Sequence, residues 1–313
     1  MKIRQMVDGF VLFKTAEGVS QKTLQNYTRY LNQFATWAGD ADSDQLSASM
    51  VADFIVFMRD EYVPRRIGGD TTNLSSQSIR NIWVAMKSFS AWAQRTLDVP
   101  DVMAGGRVPV PRATSEPRIP FTQDEVRLLL NSVKPRRGQR GRGVVYLRQL
   151  GNRAMLMTLL DTGIRNSELC SATIGDWHAS SGQLRVYGKG QKYRLVYTGA
   201  KTRPVLWQYL QERPDGGDPA RPLFVTDSGT AYTQHWLARK VRALGDSAGV
   251  TDCYPHRFRY TFAIQYLRNG GDVFTLQSLL GHSSLKMVRY YLALAQTDVE
   301  AAHRRASPVD NWL

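Results

Sequence analysis

QLRVYGKGQKYRLVYTG, residues 183–199, is the stretch that decides the fold class. Apolar and polar side chains alternate on both sides of Gly188-Lys189-Gly190, and a two-residue period flanking a glycine-rich turn is the signature of a β-hairpin. Almost everything around it has the helical period instead. The reading is therefore a mainly α fold with a small antiparallel β-sheet (α+β), with Lys189 at the tip of the hairpin.

Working outward, the first hundred residues form a helical unit. In SQKTLQNYTRYLNQFATWAG (20–39), Ser20 is placed to cap a helix, Leu24, Tyr27, Leu31, Phe34 and Trp37 recur at helical spacing, and Gly39 stops the pattern. Segments 47–62 and 75–97 repeat the logic, the latter putting Ile79, Ile82, Val84, Met86, Phe89 and Trp92 on one broad face; a further helix near 3–16 completes a four-helix unit over 1–98. The polar faces carry Lys22, Arg29, Arg80 and Lys87. Residues 99–120 have no period and are rich in Pro, Gly and Arg, including Arg107, Arg112 and Arg118, so they read as an extended basic linker. A second domain, 121–313, opens on the capping box Thr122-Gln-Asp-Glu125. It continues through a basic loop at 134–143, a helix around 146–161, the hairpin, and helices near 200–212, 233–248, 256–269, 273–280 and 285–294.

Composition narrows the chemistry. Among 313 residues, 41 Lys and Arg against 27 Asp and Glu leave a formal net charge of +14. Such a field concentrates polyanions and suits phosphate backbones. Two cysteines, Cys170 and Cys253, are too few for a disulfide framework or a thiolate zinc site. The histidines show no metal-ligand spacing, so neither a metal nor another cofactor is expected. The N-terminus does not read as a signal peptide, and no apolar run approaches the ~20 residues of a membrane span. These readings place the protein in the cytoplasm, away from membranes.

Separated stretches hold polar residues that packing alone accounts for poorly. TGIRNSEL (162–169) puts Arg165 and Glu168 just past a helix; YGKGQK (187–192) sets Lys189 at the hairpin tip; PHRFRYTFA (255–263) places His256 and Arg259 one turn apart on a helix; LLGHSS (279–284) supplies His282; and RYY ends in Tyr290 and Tyr291. Singly, each reads as an ion pair, a solvated lysine or a cap. Together they are the inventory of a metal-free phosphoryl-transfer site, in which cations and hydrogen-bond donors face the equatorial oxygens. Arginine suits this because its planar fork binds phosphate bidentately and stays charged.

The order Arg, Lys, His-x-x-Arg, Gly-His, Tyr resembles the tyrosine recombinase (phage integrase) family, in the two-domain, Xer-like form. The resemblance covers the whole of 121–313, and the helical unit is similar to that family's core-binding, SAM-like DNA-binding domain. It implies a site-specific recombinase that cuts DNA through a 3′-phosphotyrosyl intermediate. Arg165 and Arg259 would clamp the phosphate, Lys189 would protonate the departing 5′-oxygen, His256 would be base or relay, His282 would hydrogen-bond the phosphate, and Glu168 would hold its neighbours in place. Lys192 and Arg194 lie close behind Lys189, but the family's lysine falls between the two glycines. The partner implied is double-stranded DNA with inverted half-sites, bound by dimers that pair into a tetramer. The tail, ending in Trp312-Leu313, would fold back on its own chain or, as the resemblance favours, dock on a neighbouring protomer.

The two tyrosines separate on geometry. At about 100° per residue from Leu285, Leu285, Val288, Leu292 and Ala295 cluster near 320°, Tyr290 falls near 140° and Tyr291 near 240°, at the border of that face. A nucleophile must be held by packing and still reach a phosphate, which suits Tyr291. The resemblance agrees, since the family's tyrosine follows the Gly-His histidine by nine residues. A type IB-like topoisomerase with the same nucleophile chemistry, and a DNA-binding protein without catalysis on the same fold, are the competing readings.

Overall fold

In the computed structural model the described residues are 1–65, 69–113, 119–135, 143–188, 193–281, 291–292, 303 and 307–309. The chain divides into two compact units, Met1–Pro117 and Arg118–Leu313. The first holds α1 (Ile3–Ala16), α2 (Gln21–Ala38), α3 (Ala48–Asp60) and α4 (Ser76–Leu97). Three of these helices start on a serine. The hydroxyls of Ser20, Ser47 and Ser75 accept from the backbone N–H of Thr23, Met50 and Ser78, satisfying donors that a helix start leaves without intrahelical partners. The core is aromatic. Phe10 of α1 meets Tyr27, Phe89 and Trp92 edge-on, and Phe34, Trp37 and Phe54 form a second cluster.

Two sequence expectations change here. Val84 is 47% exposed, and Trp83 is buried in its place. Residue 84 is five positions from Ile79, more than a full turn on, and so points away from the face that Ile79, Ile82, Met86 and Phe89 share. The beginning of the 99–120 stretch is also no extended linker. Val102, Met103 and Val108 are buried in the core of the helical unit, the Trp83 indole donates to the Val108 carbonyl at 3.2 Å, and Ser90 donates to Asp101 at 2.6 Å. These apolar residues precede the prolines at 109 and 111, and their burial outweighs the local loop composition.

The second unit runs α5 (Gln123–Ser132), α6 (Val144–Thr162), α7 (Asn166–Ser171), β1 (Trp177–His178), β2 (Gln183–Tyr187), β3 (Tyr193–Tyr197), α8 (Thr202–Glu212), α9 (Gln234–Ser247), α10 (Pro255–Arg268) and α11 (Val273–Leu280). The strands pair antiparallel in the order β1-β2-β3, with Leu184 opposite Val196 and Val186 opposite Arg194. Leu184, Val186 and Val196 point into the core beside Leu156, Leu159, Leu206 and Phe258. β1 and α7, at 2 and 6 residues, are too short for a hydrophobic period to show. Buried Arg257 fastens the start of this unit to α10. It pairs with Glu125 at 2.9 Å, donates to the carbonyls of Ile119 and Thr251, and lies 4.1 Å over the Phe121 ring.

Among the described residues no helix is long and apolar enough to cross a membrane. Residues 136–142 of the expected basic loop, Arg118, the expected helix 285–294 apart from 291–292, and Trp312-Leu313 lie outside the described residues.

Phe10 is fully buried. Its truncation to Ala is expected to destabilise the helical unit by about 3–5 kcal/mol. Guanidinium unfolding followed by tryptophan fluorescence, with Trp92 against the ring as reporter, measures this as a lower midpoint.

Candidate active site: arginines around a buried carboxylate

The site begins where α6 stops. Gly163 takes φ +59, the left-handed conformation that ends many helices, and an added Cβ would collide with the Phe262 ring. The chain turns at once into α7, with Arg165 as its N-cap residue and Glu168 in the first turn. One Glu168 oxygen accepts from the Arg165 backbone N–H at 2.7 Å, and the other accepts from Arg165 Nη1 at 2.9 Å.

The same carboxylate takes a second, bidentate partner from across the unit. Arg194, on the inward side of β3, donates Nη1 and Nη2 to the two Glu168 oxygens at 2.6 and 2.8 Å. The Glu168 side chain is 1% exposed. Burial pushes its carboxyl pKa up, but the hydrogen bonds from Arg194 and from the Arg165 backbone outweigh that, and it lies below its ordinary value.

Arg259 approaches from α10. It is 3% exposed and donates Nη1 to the Gly163 carbonyl at 2.8 Å and Nη2 to the Leu280 carbonyl at 2.6 Å. Burial, with neighbouring Arg165 acting in the same direction, pushes its pKa down to about 10 against the opposing influence of Glu168 and Tyr291. It is therefore still a cation at neutral pH. The arginines meet again at the end of α11. Arg194 Nε donates to Leu279 O at 2.7 Å, Arg259 to Leu280 O, and Arg165 Nη2 to Gly281 O at 3.1 Å. Three successive carbonyls at a helix C-terminus, where the macrodipole is negative, thus each receive a guanidinium.

Tyr291 is 2% exposed and packs among Tyr260, Ile264, Leu276 and Leu280. Its ring meets Tyr260 edge-on at 5.3 Å, and Tyr260 meets His256 edge-on at 6.3 Å. His256 is exposed at the start of α10, one turn before Arg259. The structure thus brings Arg165, Glu168, Arg259, His256 and Tyr291 to one region. Lys189, Lys192, His282 and Tyr290 lie outside the described residues, although His282 follows directly on Gly281, whose carbonyl Arg165 holds. Among the described residues no group of three or more His, Cys, Asp or Glu is arranged to hold a metal ion.

Sequence reasoning missed the part played by Arg194. The strand alternation alone would have turned it outward; in the structure Tyr193, Leu195 and Tyr197 face solvent, and Arg194 faces inward to a buried partner. Three guanidiniums against one carboxylate leave an excess of positive charge. Arg165, with its side chain 31% exposed, presents part of that excess at the surface, an arrangement suited to a phosphodiester.

Known proteins resemble this chain over most of its length. Residues 121–298 match the phage integrase family, and residues 10–96 match the phage integrase N-terminal SAM-like domain. The chain is 30% identical to the tyrosine recombinase XerC of Pelobacter propionicus over 297 residues, covering 94% of this chain and 92% of that protein. It is 26% identical to the tyrosine recombinase XerD of Oceanobacillus iheyensis, covering 96% and 97% of the two chains. In fold it is similar to the XerH site-specific recombinase bound to a palindromic difH substrate, with a TM-score of 0.68 at 20% identity over 93% of this chain and 82% of that one.

Replacing Glu168 with Ala leaves the half-buried Arg194 without its carboxylate and is expected to cost about 3 kcal/mol. The folded Glu168 pKa lies below the unfolded one, so the proton favours the unfolded chain. The stability this group supplies is complete above the unfolded carboxylate pKa near ~4.3 and is lost as pH falls through the lower, folded value. Urea unfolding at a series of pH values is expected to show the gap between wild type and Glu168→Gln narrowing on acidification.

Proposed function

The chain belongs to the phage integrase family as a tyrosine-type site-specific recombinase, and on that premise we propose that it cuts and rejoins DNA through a 3′-phosphotyrosyl intermediate on Tyr291. The observation that carries the proposal is the common anchorage of two guanidiniums. Arg165 and Arg259 come from different elements, yet both are held to the end of α11, with the Tyr291 ring packed against the same helix.

In this reading Arg165 and Arg259 bind the non-bridging oxygens of the scissile phosphate and stabilise the charge that builds on them. The Tyr291 Oη attacks phosphorus, the bond from phosphorus to the 5′-oxygen breaks, and the phenol proton passes to His256. Lys189 gives the departing 5′-oxygen a proton, and His282 donates to a phosphate oxygen. Free phenol, with a pKa near ~10, is a poor nucleophile at neutral pH. The base and the arginine field stabilise phenolate character as the bond forms. The partner strand's 5′-hydroxyl then attacks phosphorus with Lys189 taking its proton, the bond from phosphorus to the Tyr291 Oη breaks, and His256 returns a proton to the phenol, so the energy of the phosphodiester is kept in the phosphotyrosyl ester between the two steps.

The duplex is the proposed partner, held through its backbone by the basic field, with exposed Lys22, Arg29, Arg80 and Lys87 of the helical unit among the contacts. Dimers on inverted half-sites pair into a tetramer, the C-terminal tail docking on a neighbour, and the reaction takes place in the cytoplasm.

With a nicked suicide duplex carrying the protein's own site, wild type is expected to form a covalent adduct that survives denaturation. Tyr291→Phe is expected to bind the same duplex and form none; an adduct in that variant would rule out Tyr291 as nucleophile. Arg165→Ala is expected to slow adduct formation about 10²–10³-fold. EDTA is expected to leave cleavage intact, and joining of two separate sites distinguishes recombination from simple relaxation of supercoils.

A further inference from the structure

We propose that Arg194 is a positioning residue for the cleavage step: it fixes Glu168, and through it Arg165, while also fixing the end of α11. The proposal rests on the functional reading above. Arg194 differs from Arg165 in its partners and its exposure. Its Nε and both terminal nitrogens already donate, to Leu279 O and to the two Glu168 oxygens, and its side chain is 14% exposed. Arg165 meets the same carboxylate with one terminal nitrogen and the Gly281 carbonyl with the other, and its side chain is 31% exposed. Arg194 therefore faces the protein network, whereas Arg165 is placed to meet a ligand.

The geometry makes Arg194 the joint between three elements. It stands on β3, opposite Val186, and its guanidinium reaches both the first turn of α7 and the last turn of α11. Without it, Glu168 keeps only Arg165 among these partners, and the Leu279 carbonyl loses its side-chain donor. Packing leaves little slack, since a Cβ on Gly281 would stand 3.2 Å from the Arg194 side chain. A lysine keeps the charge but is a point donor that cannot span a bidentate carboxylate and a carbonyl together. Small displacements of this kind act on the chemical step more than on DNA affinity, because phosphate binding tolerates what in-line attack does not.

Arg194→Lys and Arg194→Gln are expected to bind duplex with wild-type affinity and to slow single-turnover cleavage about 10²-fold. The Glu168→Gln, Arg194→Gln double variant is expected to be no slower than the slower single variant, as for groups acting as one unit. A substrate with sulfur in place of the bridging 5′-oxygen needs no proton on its leaving group; the deficit is expected to persist there, because Arg194 acts on the arginine clamp. Near-wild-type cleavage by Arg194→Lys, multiplying effects in the double variant, or recovery on the sulfur substrate would each overturn the proposal. Hydrogen exchange on the DNA-free protein provides a test without activity. Arg194→Lys is expected to speed exchange in a peptide spanning residues 273–281, and unchanged exchange there overturns the positioning role. Failure of wild type to form any adduct would instead reject the functional reading, leaving the network to be judged by exchange.

Discussion

One interaction organises the second unit: the buried carboxylate of Glu168 held between Arg165 and Arg194. Removing a carboxylate from water costs several kcal/mol even after relaxation, and only well-aligned opposite charge and hydrogen bonds repay it. Here the repayment comes from the bidentate fork of Arg194, one nitrogen of Arg165 and the Arg165 backbone N–H. The donors come from α7 and β3, so satisfying one carboxylate fixes the short helix against the sheet.

From that point the constraint spreads to the end of α11. A helix terminus leaves carbonyls without intrahelical partners, and Leu279, Leu280 and Gly281 find theirs in Arg194, Arg259 and Arg165. Arg259 also holds the carbonyl of Gly163, so the stops of α6 and α11 converge on one guanidinium. Both stops use a glycine at positive φ, +59 at Gly163 and +62 at Gly281, where a side chain would be strained. The outcome is a rigid concentration of positive charge built from helix ends and one strand. A phosphodiester calls for preorganised donors of this kind, which need not reorganise as charge develops.

Much of this was legible in the sequence because it is local. Serine caps, the capping box at Thr122 and Glu125, and the alternation around Gly188-Lys189-Gly190 are physics within a few residues. The i, i+3 spacing of His256 and Arg259 sets both on one side of α10, while Arg257 turns to Glu125 and the Phe121 ring. The misreadings are equally physical. Val84 belongs to a stretch rich in apolar residues, but its angle on the helix takes it to solvent. Val102, Met103 and Val108 sit in a segment with loop composition, yet enough apolar surface was available to pull them into a core. β1 and α7 are shorter than any period that could announce them.

What the sequence determined by itself was the inventory and its order: a mainly helical chain, one hairpin, an excess of basic charge, and Arg165, Lys189, His256, Arg259, His282 and Tyr291 in a recognisable series. What only the tertiary structure decided was which of the basic residues face one another. Arg194 stands 26 positions from Glu168, and Arg165 stands 116 from Gly281, separations that no local period encodes. Their meeting is set by the packing of α6, the sheet and Phe258 of α10 in one core and of α10 with α11 in a second, and by the cost of leaving a buried carboxylate or a helix-end carbonyl without a donor.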